Sequence, residues 1–304
     1  MGFRAPVWSS GLRIEAMTPG YTAVSVIGRG AGSTLHKVRH RESGKFYTLK
    51  QVKKEDDPEG RFFEQVQREW KVGQAVAHPN LREIYDLHRT RKRFKLIELN
   101  LVMEYLEGRT LDQAGLSDIA TLLGVFRAAA SALHAMHQAG FVHADIKPNN
   151  IMLCNGEGVK IFDLGQSCGL GSVKDRIQGT PDFIAPEQVM KLPMSERTDV
   201  FNLGATMYWC LTEKFFPTRI RGQQKAGAFD IGLVRDAELP QEINPQVPTE
   251  LSKLVMDCCR NSPANRPAMS EVLDRFRAVS HALKIVRERH ASAAGTAPAE
   301  ESGD

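Results

Sequence analysis

His143-Ala144-Asp145-Ile146-Lys147-Pro148-Asn149-Asn150, followed after a short apolar run by Asp163-Leu164-Gly165, is the stretch on which the reading of this chain turns. An acid at Asp145 can accept a hydroxyl proton, and Lys147 can neutralise a phosphoryl group in transit. Asn150 and Asp163 can supply the hard oxygen ligands that magnesium takes. Together these groups suit phosphotransfer.

Upstream, Tyr21 to Lys53 reads as strands: apolar alternation over Thr22 to Ile27, a glycine turn, Leu35 to Arg39, a turn at Ser43-Gly44, then Phe46 to Val52. Phe62, Val66, Glu69, Trp70 and Gly73 recur at helical spacing between Arg61 and Ala77, and His78-Pro79-Asn80 closes that helix. Leu81 to Leu87 and Leu96 to Tyr105 resume strand character across a basic turn through Arg89, Arg91, Lys92, Arg93 and Lys95, expected to be a solvated hairpin. Beyond Gly108 the pattern becomes helical, at Ser117 to Gln138, Thr198 to Leu211, Thr249 to Arg260 and Ser270 to Val286. The expected organisation is α+β and bilobal: an extension at 1–20, a small sheet lobe with one helix at 21–105, a larger helical lobe at 106–286 and a disordered tail at 287–304.

In this order and approximate spacing, from about Tyr21 to Val286, the chain resembles the eukaryotic-like serine/threonine protein kinases. The resemblance implies ATP and magnesium as cofactors and a serine or threonine hydroxyl of a protein substrate as acceptor. Asp145 and Lys147 are then catalytic, Asn150 and Asp163 hold the metal, and Lys50 in Tyr47-Thr48-Leu49-Lys50 holds the α- and β-phosphates with Glu69 as ion-pair partner and Glu64 as its reserve. Gly28-Arg29-Gly30-Ala31-Gly32-Ser33 becomes the phosphate-covering loop, with Ser33 in the third glycine position. Ile27, Leu35, Thr48 and Met152 line the base pocket. Met103-Glu104-Tyr105-Leu106 resembles the hinge, the Glu104 carbonyl and Leu106 amide serving adenine. Thr180 would bond near Asp145 and Lys147, Glu187 would pair with Arg266, and Asp199 would anchor the catalytic-loop backbone.

Three departures qualify the resemblance. Ala144 stands where most members carry arginine, so a phosphate on the activation segment would gain fewer charge-assisted hydrogen bonds. Between Gly165 and Gly179 the hydroxyl residues are Ser167 and Ser172, with no threonine; the expectation is activity independent of phosphorylation there. Thr48 replaces the alanine usual above the base, and Gly73 falls where a bulky apolar side chain normally joins the lobes. Either could lower basal activity and leave room for a protein partner that pushes the Glu69 helix inward. Asn149 and Thr110 sit where basic-directed relatives carry acids, so arginine-directed recognition is not supported.

Composition sets outer bounds. The 304 residues carry a formal net charge of +4, with charged residues at 25%, an ordinary surface balance that gives no case for nucleic acid. The five cysteines lack metal spacing and point to plain thiols in a reducing compartment. No apolar run is expected to approach the roughly 20 residues a membrane helix needs, and Pro6 spoils a myristoylation pattern after Met1-Gly2. A cytoplasmic protein is expected. Two alternatives remain: a small-molecule phosphotransferase, against which Lys147-Pro148 and Ala185-Pro186-Glu187 speak, and a pseudokinase scaffold, against which the full catalytic set speaks.

Overall fold

The computed structural model describes residues 18–156, 158–218 and 237–294. Alternating apolar residues near the amino end build an antiparallel sheet from β1 (Tyr21–Arg29), β2 (Thr34–His40), β3 (Phe46–Lys53), β4 (Ile84–Lys92) and β5 (Lys95–Glu104), in the order β1-β2-β3-β5-β4. Helix α1 (Arg61–Ala75) lies between β3 and β4 in sequence. The Asp57 carboxylate accepts the Phe63 amide at 2.9 Å and so satisfies one of the unpaired donors of its first turn. Its buried residues are Phe63, Val66, Glu69 and Val72, three apart throughout. That spacing puts a carboxylate on the apolar face, where only a paired charge is tolerable.

Two boundaries differ from those read in the sequence. Strand β4 begins at Ile84 rather than Leu81, because Leu81 bridges to Ile161 and the Arg82 amide donates to the Ile161 carbonyl at 2.9 Å, tying this segment to the other lobe. The basic turn is also shorter. Arg89, Arg91, Lys92 and Lys95 stand on paired strands, and the reversal is Arg93-Phe94, with φ of 47° and 68°. Two successive left-handed residues match the twist of a tight hairpin. Phe94 at the tip is 97% exposed.

The second lobe is built on α2 (Ile119–Gln138), whose first turn is capped by the Asp118 carboxylate accepting the Thr121 amide at 2.8 Å. In length and apolar composition α2 is sufficient to cross a bilayer, which corrects the expectation that no segment approaches this. It is instead the lobe's core helix, burying Leu122, Leu123, Phe126, Ala130, Leu133 and Met136. Against it pack α4 (Glu196–Thr212) and α7 (Met269–Ala294), and α6 (Thr249–Cys258) packs in turn against these two. Two short helices, α3 (Pro186–Val189) and α5 (Pro240–Ile243), each start on proline, whose fixed φ suits a first helical turn. Helix α7 continues eight residues past Val286, into the segment expected as tail; residues 1–17 of the expected extension and 295–304 lie outside the described residues.

Short strands between the lobes position the chemistry. β6 (Gly108–Thr110), β8 (Ile151–Cys154) and β9 (Val159–Ile161) form one sheet, and β7 (Phe141–Val142) pairs with β10 (Cys168–Gly169). The β8–β9 hairpin pairs Ile151 with Ile161, and the Phe162 amide donates to the Asn150 carbonyl at 3.1 Å. Asn150 and Asp163, thirteen positions apart in the chain, are thereby brought to the same end of one hairpin.

Candidate active site

The catalytic loop is held from beneath by Asp199 on α4. This fully buried carboxylate accepts the His143 amide at 2.9 Å, the Ala144 amide at 2.8 Å and His137 Nε2 at 2.8 Å. Burial alone would raise its pKa, but the His137 hydrogen bond and charge, His143 and the Ala144 amide hold it below the usual carboxylate value. Ala144 has φ of 63°, a left-handed conformation that a residue with a Cβ adopts only when its surroundings impose it. Gln188 Nε2 supplies the other constraint by donating to the Ala144 carbonyl at 2.8 Å.

Asp145 emerges from this turn with both carboxylate oxygens engaged. Lys147 Nζ donates to Oδ2 at 3.0 Å, and Thr180 Oγ1 donates to Oδ1 at 2.9 Å. Lys147 also donates to Thr180 Oγ1 at 2.7 Å, which closes a three-residue ring. Asn150 Nδ2 donates to the Asp145 carbonyl at 2.8 Å, so its amide oxygen is the atom left for a metal. Glu187 and Arg266 form a buried, two-pronged pair at 2.7 and 2.9 Å that braces the end of the same segment.

Across the cleft, Lys50 Nζ lies 2.8 Å from Glu69 Oε2 and 3.8 Å from Asp163 Oδ1. Glu69 is thus the partner, and Glu64, the reserve, instead lies 3.9 Å from Arg68. Burial works to lower the Lys50 pKa, yet Glu69 and Asp163 carry it above its ordinary value. Asp163 shows the reverse balance: burial works to raise its carboxyl, and Lys50, His143, the Gly165 amide and Lys147 hold it down. Both groups therefore stay charged. Arg68 Nη1 donates to the Gly165 carbonyl at 3.2 Å, linking α1 directly to the turn that carries Asp163.

The base pocket residues fall on four strands and the hinge. Ile27, Gly28 and Arg29 end β1, with Gly28 opposite Leu35 of β2, and the turn Gly30-Ala31-Gly32-Ser33 closes through a Gly30 amide to Ser33 carbonyl bond of 2.8 Å. Thr48 pairs in register with Met103, one position before Glu104, while Leu106 follows the hinge and Met152 lies on β8. Two contacts were beyond sequence reading. A Cβ on Gly32 would meet the Phe62 ring at 2.0 Å, so this glycine serves close approach to α1. A Cβ on Gly73 would lie 2.6 Å from Ile84 Cβ and Cδ1, so Ile84 fills the volume that the family's bulky side chain would take. The expected gap between the lobes is closed from β4.

Ala144 packs with Val142, Met194 and Cys168, apolar neighbours in place of a guanidinium. A cation is nonetheless supplied locally by Lys174 of the activation segment, whose ammonium donates to the Gln166 carbonyl. Burial pushes its pKa down to about 8, against the pull of Cys168, Asp145 and Asp199. The segment is tied down further by β10 on β7, by the Gly171 amide to Met194 carbonyl bond of 2.8 Å and by Lys191 Nζ on the Asp175 carbonyl at 2.7 Å. Of its two serines, Ser167 is fully buried. Among the cysteines, Cys258 and Cys259 are buried, the Cys258 thiol being pushed up to about 12 by burial, and all five are free.

A carboxylate and an ammonium share one threonine hydroxyl on one side of the cleft, and a strand lysine paired with a helix glutamate faces them. Such a centre belongs to the phosphotransferases of two-lobed architecture. The chain is a member of the protein kinase domain family, which it matches over residues 21–276. It is similar to a probable serine/threonine-protein kinase of Clostridium acetobutylicum, 26% identical over 267 residues that make up 84% of this chain and 39% of that protein. PknD, a serine/threonine-protein kinase of Chlamydia caviae, is 26% identical over 89% of this chain and 31% of its own length. An Aurora kinase of Eremothecium gossypii is 28% identical over 81% of this chain and 66% of its own length. The chain therefore spans between about a third and two thirds of these curated relatives.

Proposed function

We propose that this chain transfers the γ-phosphate of ATP to serine or threonine hydroxyls of a protein, with magnesium bound by Asn150 and Asp163. The observation that carries the reading is the Asp145, Lys147, Thr180 ring, which couples the proton acceptor and the phosphoryl cation to the segment where a peptide would lie. A serine or threonine hydroxyl entering there displaces part of this ring and donates to Asp145, which orients it and takes its proton late in the transfer. Lys147 neutralises charge on the migrating phosphoryl, and Lys50, fixed by Glu69, holds the phosphates at the other end. The Asn150 amide oxygen and the ionised Asp163 carboxylate are hard oxygen donors, a set that fits magnesium. The metal would neutralise the β- and γ-phosphate oxygens when bound.

Several contacts support activity without phosphorylation of the activation segment. Lys174 gives the segment an internal cation, Ala144 has no guanidinium to offer a phosphate, and backbone pairing already orders the strand at Cys168–Gly169. The filled space at Gly73 supports an aligned Glu69 helix, which weakens the argument for an obligatory activating partner. Five free thiols, none in a disulfide, support a cytoplasmic location. Phosphoamino-acid analysis of a generic protein substrate labelled by the chain tests the acceptor class. Phosphoserine and phosphothreonine are expected; phosphotyrosine alone would overturn it.

A further inference from the structure

Arg82, in the segment before β4, takes no part in the phosphotransfer scheme, yet its side chain reaches the hinge. Its Nε and Nη2 both donate to the Glu104 carbonyl, at 2.9 and 2.8 Å. This is the hinge oxygen expected to receive the 6-amino group of adenine. The guanidinium also lies within electrostatic reach of Glu69, Asp163 and Lys50, so it sits between the base end and the phosphate end of the cleft. On β3, Thr48 carries a buried hydroxyl with no hydrogen-bond partner, in register with Met103, the residue before Glu104. The Glu104 side chain is fixed as well, by Lys160 at 2.9 Å and the Glu83 amide at 3.1 Å, which leaves the hinge little freedom to turn its carbonyl elsewhere.

The consequence concerns the edge of the base. With the Glu104 carbonyl occupied, the groups presented there are donors: the remaining N–H groups of Arg82, which has five and no acceptor, and the Leu106 amide. Adenine offers its own donor at position 6, an amine that meets a cation and finds its acceptor already engaged. Guanine and hypoxanthine offer an oxygen at that position, with N7 beside it as a second acceptor, while their N1 carries a proton where adenine N1 accepts from the Leu106 amide, so each kind of purine matches one of the two donors. A donor left facing a donor in a closed pocket loses its water without compensation, whereas the oxygen can accept from Arg82.

We propose that Arg82 admits 6-oxopurine triphosphates, ITP and GTP, as phosphoryl donors alongside ATP. In the transfer the bond between the γ-phosphorus and the β,γ-bridging oxygen breaks and a bond from that phosphorus to the acceptor oxygen forms. The hydroxyl proton goes to Asp145, and IDP or GDP leaves. This inference rests on the phosphotransfer reading of the same site.

Calorimetric titration of the full chain with the magnesium complexes of ATP, ITP and GTP tests it, with wild type beside Arg82→Val and Arg82→Lys. Wild type is expected to bind ITP and GTP within about fivefold of ATP, and Arg82→Val to weaken both about tenfold relative to ATP, as loss of a base-edge hydrogen bond does. Arg82→Lys, which keeps a cation with fewer donors, should fall between. A wild-type preference for ATP above about fivefold overturns the inference on its own, even if the variants fail to fold. An equal effect of Arg82→Val on all three nucleotides overturns it too. Tight ATP binding with no ITP or GTP binding leaves the phosphotransfer reading standing. A folded wild type that binds none of the three removes both.

Discussion

Replacing Gly73 by leucine should destabilise this protein, although the family resemblance implies a bulky apolar residue at this position. In the interior of α1 a glycine costs about 0.8–1 kcal/mol against alanine, so helix propensity alone favours the change. The structure opposes it. A Cβ at this position lies 2.6 Å from Ile84 Cβ and Cδ1 and 2.7 Å from Cγ1, and Ile84 is 6% exposed, with β4 paired behind it. Overpacking of a formed core costs roughly 1–3 kcal/mol, which outweighs the propensity gain. Ile84→Ala should cost about 2–5 kcal/mol by leaving a cavity. In the double variant the new leucine fills that cavity, so the two losses should not add; coupling of about 2 kcal/mol in favour of the pair is expected for side chains in direct contact. Urea denaturation of the four proteins gives the cycle, and a kinase assay on the same samples reports whether Glu69, one turn earlier on α1, keeps its pairing with Lys50. A single Gly73→Leu variant as stable as wild type, or strict additivity, would refute the account that Ile84 has taken over this volume.

Other perturbations test separate parts of the structure. Glu187→Gln leaves Arg266 buried without its carboxylate and should cost roughly 3–5 kcal/mol, read as a lowered denaturant midpoint at unchanged slope. Ser172→Ala, and phosphatase treatment of wild type, should leave most activity in place, since Ser167 is fully buried and Lys174 already supplies a cation; loss of nearly all activity would contradict this. The Lys174 pKa is about 8 in the folded chain against 10.5 for an ordinary lysine, so between those values the unfolded chain binds a proton that the native chain does not. Stability of wild type relative to Lys174→Met should therefore rise with pH across that window and stay flat below about pH 7, measured by denaturation in a pH series.

The catalytic centre was legible because its residues lie in short runs whose side-chain chemistry has few other uses. His143 to Asn150 and Asp163 to Gly165 are each local, and one hairpin suffices to join them. Glu69 is preferred over Glu64 because its place before His78-Pro79-Asn80 matches the family resemblance, and the structure pairs it with Lys50 at 2.8 Å. What escaped the sequence depends on contacts between distant segments. Arg82 and Lys174 draw no reading from the sequence, since nothing beside them in the chain signals that one meets the Glu104 carbonyl and the other the Gln166 carbonyl. Gly32 and Gly73 read as a turn and a packing defect, and only Phe62 and Ile84, brought in by the fold, turn them into points of close approach. The tight reversal at Arg93-Phe94 was hidden because neither residue type advertises a left-handed turn. Helix α7 continues past Val286 through Arg287 to Ala294, a stretch rich in helix formers whose Ala and Ser content resembled a tail.

The central claim is that Asp145, Asp163 and Lys50 act together in phosphoryl transfer. Its most direct test follows label from radioactive ATP into a generic protein substrate, with wild type beside Asp145→Asn, Asp163→Asn and Lys50→Met, each first shown to be folded. The account predicts transfer by wild type, on serine and threonine, and a loss of roughly 10²–10⁴-fold for Asp145→Asn, with comparable or greater losses for the other two. Wild type that transfers no more phosphate than the three variants would contradict it.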